Sequence, residues 1–176
     1  MTDDDAIQIR PLGADDAGAF RQVRLRALRD HPEAFGSSWE EEHASPEDEA
    51  ARRFRDSLAA GRVMFGAIAD GRLVGLSGIA REPRMKQRHR AAITSVYVAP
   101  DARGRGVATA LLAAAIRQAR AWDGVAVLEL SVAVENAAAR RLYAAAGFRT
   151  YGVDRRALMV DGRPVDLALM ALHLDG

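Results

Sequence analysis

Apolar and polar positions alternate through residues 6–12, and Pro11 closes the run, which predicts a first strand. The period then changes. Phe20, Val23, Ala27 and Leu28 fall on one helical stripe with Leu25 beside it, and Asp15 or Asp16 stands where a cap belongs. This helix ends near His31-Pro32. Residues 32–45 hold no sustained period and predict a loop or a broken helix. Ser45-Pro46-Glu47-Asp48 then has the chemistry of a helix start, with Ser45 as N-cap, Pro46 in the first helical position and acids in the first turn. That helix runs to about Ala60, where Gly61 stops it.

Two apolar runs, 63–69 and 73–80, flank Asp70-Gly71, a strong short-range hairpin signal. A polar loop over 82–90 leads into a strand over 91–98. A long helix follows over 106–121, carrying Val107, Ala108, Leu111, Leu112, Ala115, Ile116 and Ala119 at helical spacing. Residues 125–132 predict another strand. A short helix begins at Asn136, with Gly147 just past its end. Strands at 148–151 and 165–174 close the chain, and Asp161-Gly162 marks a turn between them. The order β, α, α, β, β, β, α, β, α, β, β predicts a mixed α/β fold with one sheet, helices on its faces and mostly hairpin connections. With 176 residues, no internal repeat and no linker, the chain is expected to form one domain over 1–176.

The stretch 95–109 carries the candidate chemistry. Pro100 ends a strand, because it cannot donate to a ladder and restricts the residue before it. A loop with Gly104 and Gly106 then delivers a helix N-terminus, whose first N–H groups lack intrahelical partners. Glycine lets a ligand approach the backbone closely, and Arg103 and Arg105 add forked donors. Together these suit a diphosphate. A P-loop would need a Lys here, and the dinucleotide fingerprint would need a third Gly where Thr109 stands.

What remains is Arg103-x-x-Gly106-x-Ala108, directly after Val96-Tyr97-Val98-Ala99-Pro100. This resembles the acyl-CoA-binding motif of the GNAT superfamily of N-acetyltransferases, Gln/Arg-x-x-Gly-x-Gly/Ala. Downstream, Asn136-x-x-Ala139-x-x-Leu142-Tyr143-x-x-x-Gly147-Phe148 resembles the second signature of the same family. The element order matches throughout, and the specific likeness covers residues 91–148.

The resemblance implies a central, mostly antiparallel sheet of about seven strands with helices on both faces. It implies acetyl-CoA as cosubstrate and no metal. The pyrophosphate would lie on Arg103, Gly104, Arg105, Gly106, Val107, Ala108 and Thr109. Main-chain groups of Val96, Tyr97 and Val98 would bind pantetheine and the thioester carbonyl, where an N–H stabilises the developing oxyanion. Asn136 would hold the pantetheine arm. Tyr143 would protonate the departing thiolate, since a phenol with a pKa of about 10 is protonated at neutral pH. An amine must also shed a proton. The positions where family members carry a basic Glu hold Ala92 and Ser131 here. Glu129, two residues from Ser131 and expected on its face, is the candidate base, with a water chain as the alternative.

Charge and composition narrow the partners. Net charge is +1 with no basic stripe, which argues against nucleic acid. There is no Cys, so there is no disulfide and no thiol acyl carrier, and the four His lack ligand spacing. The acidic N-terminus has no apolar stretch, and no run is long enough to span a bilayer, so a soluble, cytoplasmic protein is expected without a membrane partner. The resemblance also admits a homodimer. For the acceptor, Trp39-Glu40-Glu41-Glu42-His43 would suit a cationic amine, whereas Arg155 and Arg156 would suit a carboxylate. The leading expectation is direct acetyl transfer from acetyl-CoA to a primary amine of a small molecule or peptide. A non-catalytic CoA-binding sensor or interaction module of the same fold is the alternative, and a nucleotide-binding protein using the same loop is a third.

Overall fold

A computed structural model describes residues 7–174, so the expected strand start at Ala6 and the acidic N-terminus lie outside the described residues. Seven strands form one sheet: β1 (Gln8–Pro11), β2 (Val63–Ala69), β3 (Arg72–Arg81), β4 (Arg90–Val98), β5 (Val127–Ala133), β6 (Arg149–Val160) and β7 (Arg163–His173). Their order is β1-β2-β3-β4-β5-β7-β6, and every ladder is antiparallel except β4–β5. Five α-helices accompany them: α1 (Ala17–Asp30), α2 (Trp39–Ala44), α3 (Glu47–Ala59), α4 (Val107–Ala121) and α5 (Ala137–Ala145). This is the expected mixed α/β architecture. Among the described residues no helix is long and apolar enough to cross a membrane.

Two helical layers cover opposite faces of the sheet. Met64 of β2 lies with Phe20 of α1 and Phe54 of α3, whose rings stack at 4.3 Å. Ala67, of opposite parity on β2, comes together at Gly75 with Leu111 of α4. A Cβ on Gly75 would stand 3.0 Å from Leu111 Cδ1 and 3.1 Å from the Tyr97 carbonyl oxygen, so this glycine lets α4 sit close on the sheet. Ile79, Leu111, Leu112, Leu128 and Phe148 are fully buried members of the core.

The feature that positions the site is a split in the sheet. β4 pairs with β3 as far as Val98, and β5 pairs with β7 from Val127 to Ala133. Yet β4 and β5 pair with each other only at Arg90↔Val127, Ala91↔Leu128 and Ala92↔Glu129. Beyond Ala92 the two strands diverge, and the facing edges carry no ladder. β4 also bulges there. Thr94 opposes Gly78 and Tyr97 opposes Leu76, so Ser95 and Val96 together face the single Ser77. Ser95 sits at φ +58, a left-handed conformation rare for a non-glycine residue in a strand.

Several local expectations change. Asp16 stands at the N-cap of α1, as expected, but its side chain makes no cap hydrogen bond. Asp16 instead accepts from the Gly13 N–H at 2.7 Å and pairs with Arg10 through two bonds of 2.8 Å. Residues 32–45 contain a 3-10 turn (Pro32–Ala34) and α2, which starts with a capping box of Ser38 and Glu41. α3 begins at Glu47 with Pro46, rather than Ser45, as its N-cap, and the Ser45 hydroxyl donates back to the Glu41 carbonyl. β6 is much longer than the expected 148–151, β7 lies close to the expected 165–174, and the two form one hairpin around Asp161-Gly162, at φ +48 and +74. Residues 152–160 escape the period-2 pattern because β6 is largely exposed on both faces and twice loses register.

Candidate active site

The divergence of β4 and β5 opens a cavity of about 400 Å³. Thr94, Ser95 and Val96 form one wall, residues 130–133 form the other, and Asn136, Ala139 and Tyr143 close it from α5. The unpaired edges of both strands border this space, so peptide groups there can serve a ligand instead of a neighbouring strand. Of the three β4 residues expected to bind through their main chain, Val96 lines the cavity. The Val98 carbonyl accepts from Arg103 Nε at 3.0 Å, and the Tyr97 side chain turns away to donate to Asp30 Oδ2 at 2.6 Å. Burial and the Asp30 carboxylate push the Tyr97 phenol upward, so it stays protonated.

Asn136 is the N-cap of α5, where Oδ1 accepts from the Ala139 N–H at 3.0 Å. The side-chain amide has two further donors, and the residue borders the cavity. Two turns on, Tyr143 is only 6 % exposed, with its ring edge-on to Phe148 at 6.1 Å. Its hydroxyl makes no hydrogen bond among the described residues. Burial pushes the phenol up to about 12, which keeps the proton on oxygen throughout the physiological range.

The glycine loop has the form a phosphate cradle requires. Gly104 and Gly106 sit at φ +74 and +76, and a Cβ on either would meet nothing within 4 Å. The space before them is open, and the need for glycine is conformational. Gly106 is the N-cap of α4, whose first turn begins with the buried Val107 and continues through Ala108 and Thr109. Arg103 also reaches His31 Nε2 at 2.9 Å, which braces the loop against the end of α1. Arg105 stands between the two glycines. The loop could hold a diphosphate, and the cleft an extended thioester arm.

Glu129 lies outside this constellation. Its carboxylate is held by Arg90, with Nε–Oε2 at 2.8 Å and a second bond from Nη2 to Oε1, and it accepts from the Tyr151 hydroxyl at 3.1 Å. The Arg90 guanidinium and the Tyr151 hydroxyl hold it below the usual carboxylate range. Ser131, of the same parity on β5, does line the cavity.

A second cavity of about 360 Å³ lies between α1, α3 and the bulge. Arg24, Ser37, Arg62 and Ser95 border both cavities, so the two meet at the bulge. Of the groups expected to meet the acceptor, Glu41 and Glu42 line this second cavity, whereas Trp39, Glu40, His43, Arg155 and Arg156 do not. Trp39 stacks on His43 at 4.3 Å and carries the Arg29 guanidinium at 4.7 Å, so a protein cation already occupies its ring. Glu42 is bound by Arg24, and Glu41 serves the capping box of α2. Arg155 pairs with Asp166 at 3.1 Å, and the Arg156 N–H donates to the same carboxylate. The charged groups that do border the junction, Arg24 and Arg62, are absent from the sequence expectations. A signal existed for Arg24: it lies four residues from both Phe20 and Leu28, on the apolar stripe itself.

Comparison with known proteins identifies the family of the chain. Residues 25–148 match the model of the acetyltransferase (GNAT) family. The chain is 34% identical over 139 residues to mycothiol acetyltransferase of Brachybacterium faecium, covering 79% of this chain and 39% of that longer protein. It is 30% identical over 169 residues to the L-amino acid N-acetyltransferase AaaT of Escherichia coli K12, covering 94% of this chain and 96% of AaaT. Its fold matches that of yncA from Salmonella typhimurium, solved with its cofactor acetyl-CoA, at a TM-score of 0.83 and 24% identity, over 97% of this chain and 95% of that one. The chain thus belongs to the GNAT family of acetyltransferases.

Proposed function

We propose that this protein transfers an acetyl group from acetyl-CoA directly to a primary amine. The observation that carries the reading is the split between β4 and β5, with Tyr143 and Asn136 on its wall. In this reading the diphosphate of acetyl-CoA takes the N–H groups of the Gly104–Gly106 loop and the first turn of α4. The pantetheine arm lies along the unpaired edge of β4 and takes a donor from Asn136. The thioester then reaches the bulge, where a β4 N–H near Val96 supports its carbonyl oxygen. The acceptor enters from the cavity on the other side of Ser95.

The amine nitrogen attacks the thioester carbon, the C–N bond forms, and negative charge grows on the carbonyl oxygen beside the β4 amide. Collapse breaks the C–S bond. Tyr143 donates its proton to the departing sulfur and is reprotonated from water. The burial that raises the phenol also penalises a thiolate in the same pocket, so the two affinities for the proton move together. The proton shed by the amine goes to water, because Glu42 is engaged by Arg24 and Glu41 by the α2 cap. Glu129 receives no catalytic role. Its place is structural, at the last paired residues of β4 and β5.

The test is thermal denaturation with acetyl-CoA, CoA, ATP and NAD in parallel. Ligand at about a hundredfold its Kd adds roughly 2.7 kcal/mol, or about 5–10 °C for a domain of this size. A shift with acetyl-CoA and CoA but not with ATP or NAD is expected, followed by CoA release on addition of an amine panel. No shift with either CoA species rejects the reading.

A further inference from the structure

The junction of the two cavities carries an excess of positive charge that the protein does not neutralise. Arg24 uses Nε and Nη2 on Glu42, at 3.1 and 2.9 Å, and its guanidinium lies over the Phe35 ring at 4.7 Å. Its third nitrogen, Nη1, is buried and has no hydrogen-bond partner. The Arg24 side chain is 13% exposed, so water does not readily make up the loss. Arg62 borders the same junction and donates to nothing closer than the Thr94 hydroxyl at 3.4 Å. Burial and the charge of Arg24 both weigh against its cationic form, and no carboxylate offsets them.

Two guanidiniums that disfavour each other, with a carboxylate bound to Arg24 alone, leave a place for one more anion. The neighbouring charges do not fill it. Arg21 is committed to the carbonyls of Ser45 and His43, at 2.7 and 3.3 Å. Arg53, which lines the second cavity, pairs with Glu49 one turn away on α3, and the Glu41 side chain accepts from the Ser38 N–H. An unsatisfied buried N–H is costly to leave and rewarding to fill. Guanidinium edges match a planar carboxylate in shape and charge.

We infer that the acceptor is a free amino acid, its carboxylate held by Arg24 Nη1 and Arg62 where the two cavities meet at Ser95. This rests on the acetyl-transfer reading of the same site. The carboxylate anchors the acceptor beside the bulge, and the amine on the adjacent carbon is presented to the β4–β5 cleft. An amine without the carboxylate leaves both guanidiniums unpaired. A peptide N-terminus lacks a carboxylate at that distance from its amine and is refused for the same reason.

The experiment compares proteinogenic L-amino acids with their carboxamides as acetyl acceptors, following CoA release. The wild-type protein is expected to favour its best acid over the matching amide by about tenfold or more in kcat/KM, the worth of a charge-assisted contact. Arg62→Gln should raise the KM for the acid by about tenfold or more while leaving the amide and the KM for acetyl-CoA unchanged, and Arg62→Lys should recover part of the loss. The acetyl-CoA thermal shift in each variant establishes that its cofactor site is folded, and Arg24→Gln provides a second variant on the other guanidinium. Equal use of acid and amide by the wild type overturns the inference, as does transfer only to amines without a carboxylate. A preference that survives both Arg62→Gln and Arg24→Gln overturns it too. In those cases acetyl-CoA binding and transfer persist and the enzymatic reading stands. Absence of any acetyl-CoA shift overturns both.

Discussion

Replacing Tyr143 with phenylalanine removes one oxygen from a ring that is otherwise enclosed. The ring keeps its edge-on contact with Phe148, and the lost hydroxyl had no hydrogen-bond partner among the described residues. Nothing buried is left unsatisfied, so stability should change by about 1 kcal/mol or less. The chemistry should change far more. A positioned general acid contributes roughly 10²–10⁴-fold, and the thiolate of CoA would have to leave without a donor. We expect kcat to fall by about 10²-fold, with the acetyl-CoA thermal shift and Kd unchanged. The assay is CoA release at saturating acetyl-CoA, repeated as a single turnover to separate chemistry from product release. The pH profile supplies a second check. With the phenol pushed up to about 12, Tyr143 stays protonated well above neutrality, and its ionisation gives no alkaline limb below about pH 10. A variant with wild-type kcat would remove Tyr143 from the reaction, and an alkaline limb that vanishes on substitution would refute the raised pKa.

Three other substitutions separate the remaining roles. Glu129→Gln breaks the pair with Arg90 at the last joined residues of β4 and β5, so it should cost about 1 kcal/mol of stability in urea denaturation. It should leave the kcat–pH profile unchanged, whereas a loss of about 10²-fold with a displaced acid limb would make Glu129 the base after all. Gly106→Glu puts a β-carbon at φ +76 and a carboxylate before the cradle, at a backbone cost of about 1–2 kcal/mol. Its acetyl-CoA shift should disappear, and a retained shift would move the cradle elsewhere. Arg10 holds the Asp16 carboxyl at about 2, below its ordinary 3.8. A depressed folded-state pKa stabilises above the unfolded value and is lost as pH falls towards 2, so Asp16→Asn should cost on the order of 1 kcal/mol at pH 7 and almost nothing near pH 2.

The sequence carries the fold where one physical cause dominates. Asp70-Gly71 and Asp161-Gly162 announce their hairpins because left-handed backbone at a tight turn selects those residues. The apolar stripe of α4 and the two glycines before it announce a helix that begins at a glycine loop. Period fails where both faces of an element meet the same medium, and β6, exposed on both faces, reads as loop beyond Tyr151. Position was right at Asp16, the N-cap of α1, but its side chain makes no cap bond because Arg10, six residues away, offers a stronger partner than the helix N-terminus. Glu129 illustrates a different limit. Parity correctly put it with Ser131, but parity says nothing of Arg90, 39 residues away, which takes its carboxylate. Arg62 is hidden for the same reason, and the place of Arg24 on the apolar stripe marks it as unusual without showing which partners it lacks.

The bulge at Ser95 links these observations. An ordinary ladder through β4 and β5 would satisfy every peptide group and leave no cleft. Losing β4–β5 pairing after Ala92 exposes polar backbone on both strands, a cost that persists only if something else uses those groups. The β3 side of β4 has to stay paired, and it does, by letting two residues oppose Ser77. That extra residue takes a left-handed backbone at Ser95, and the same residue borders both cavities. The bulge and the split thus fall on the same stretch of β4, and in the proposed reaction that free edge serves the thioester while the wall shared at Ser95 admits the amine.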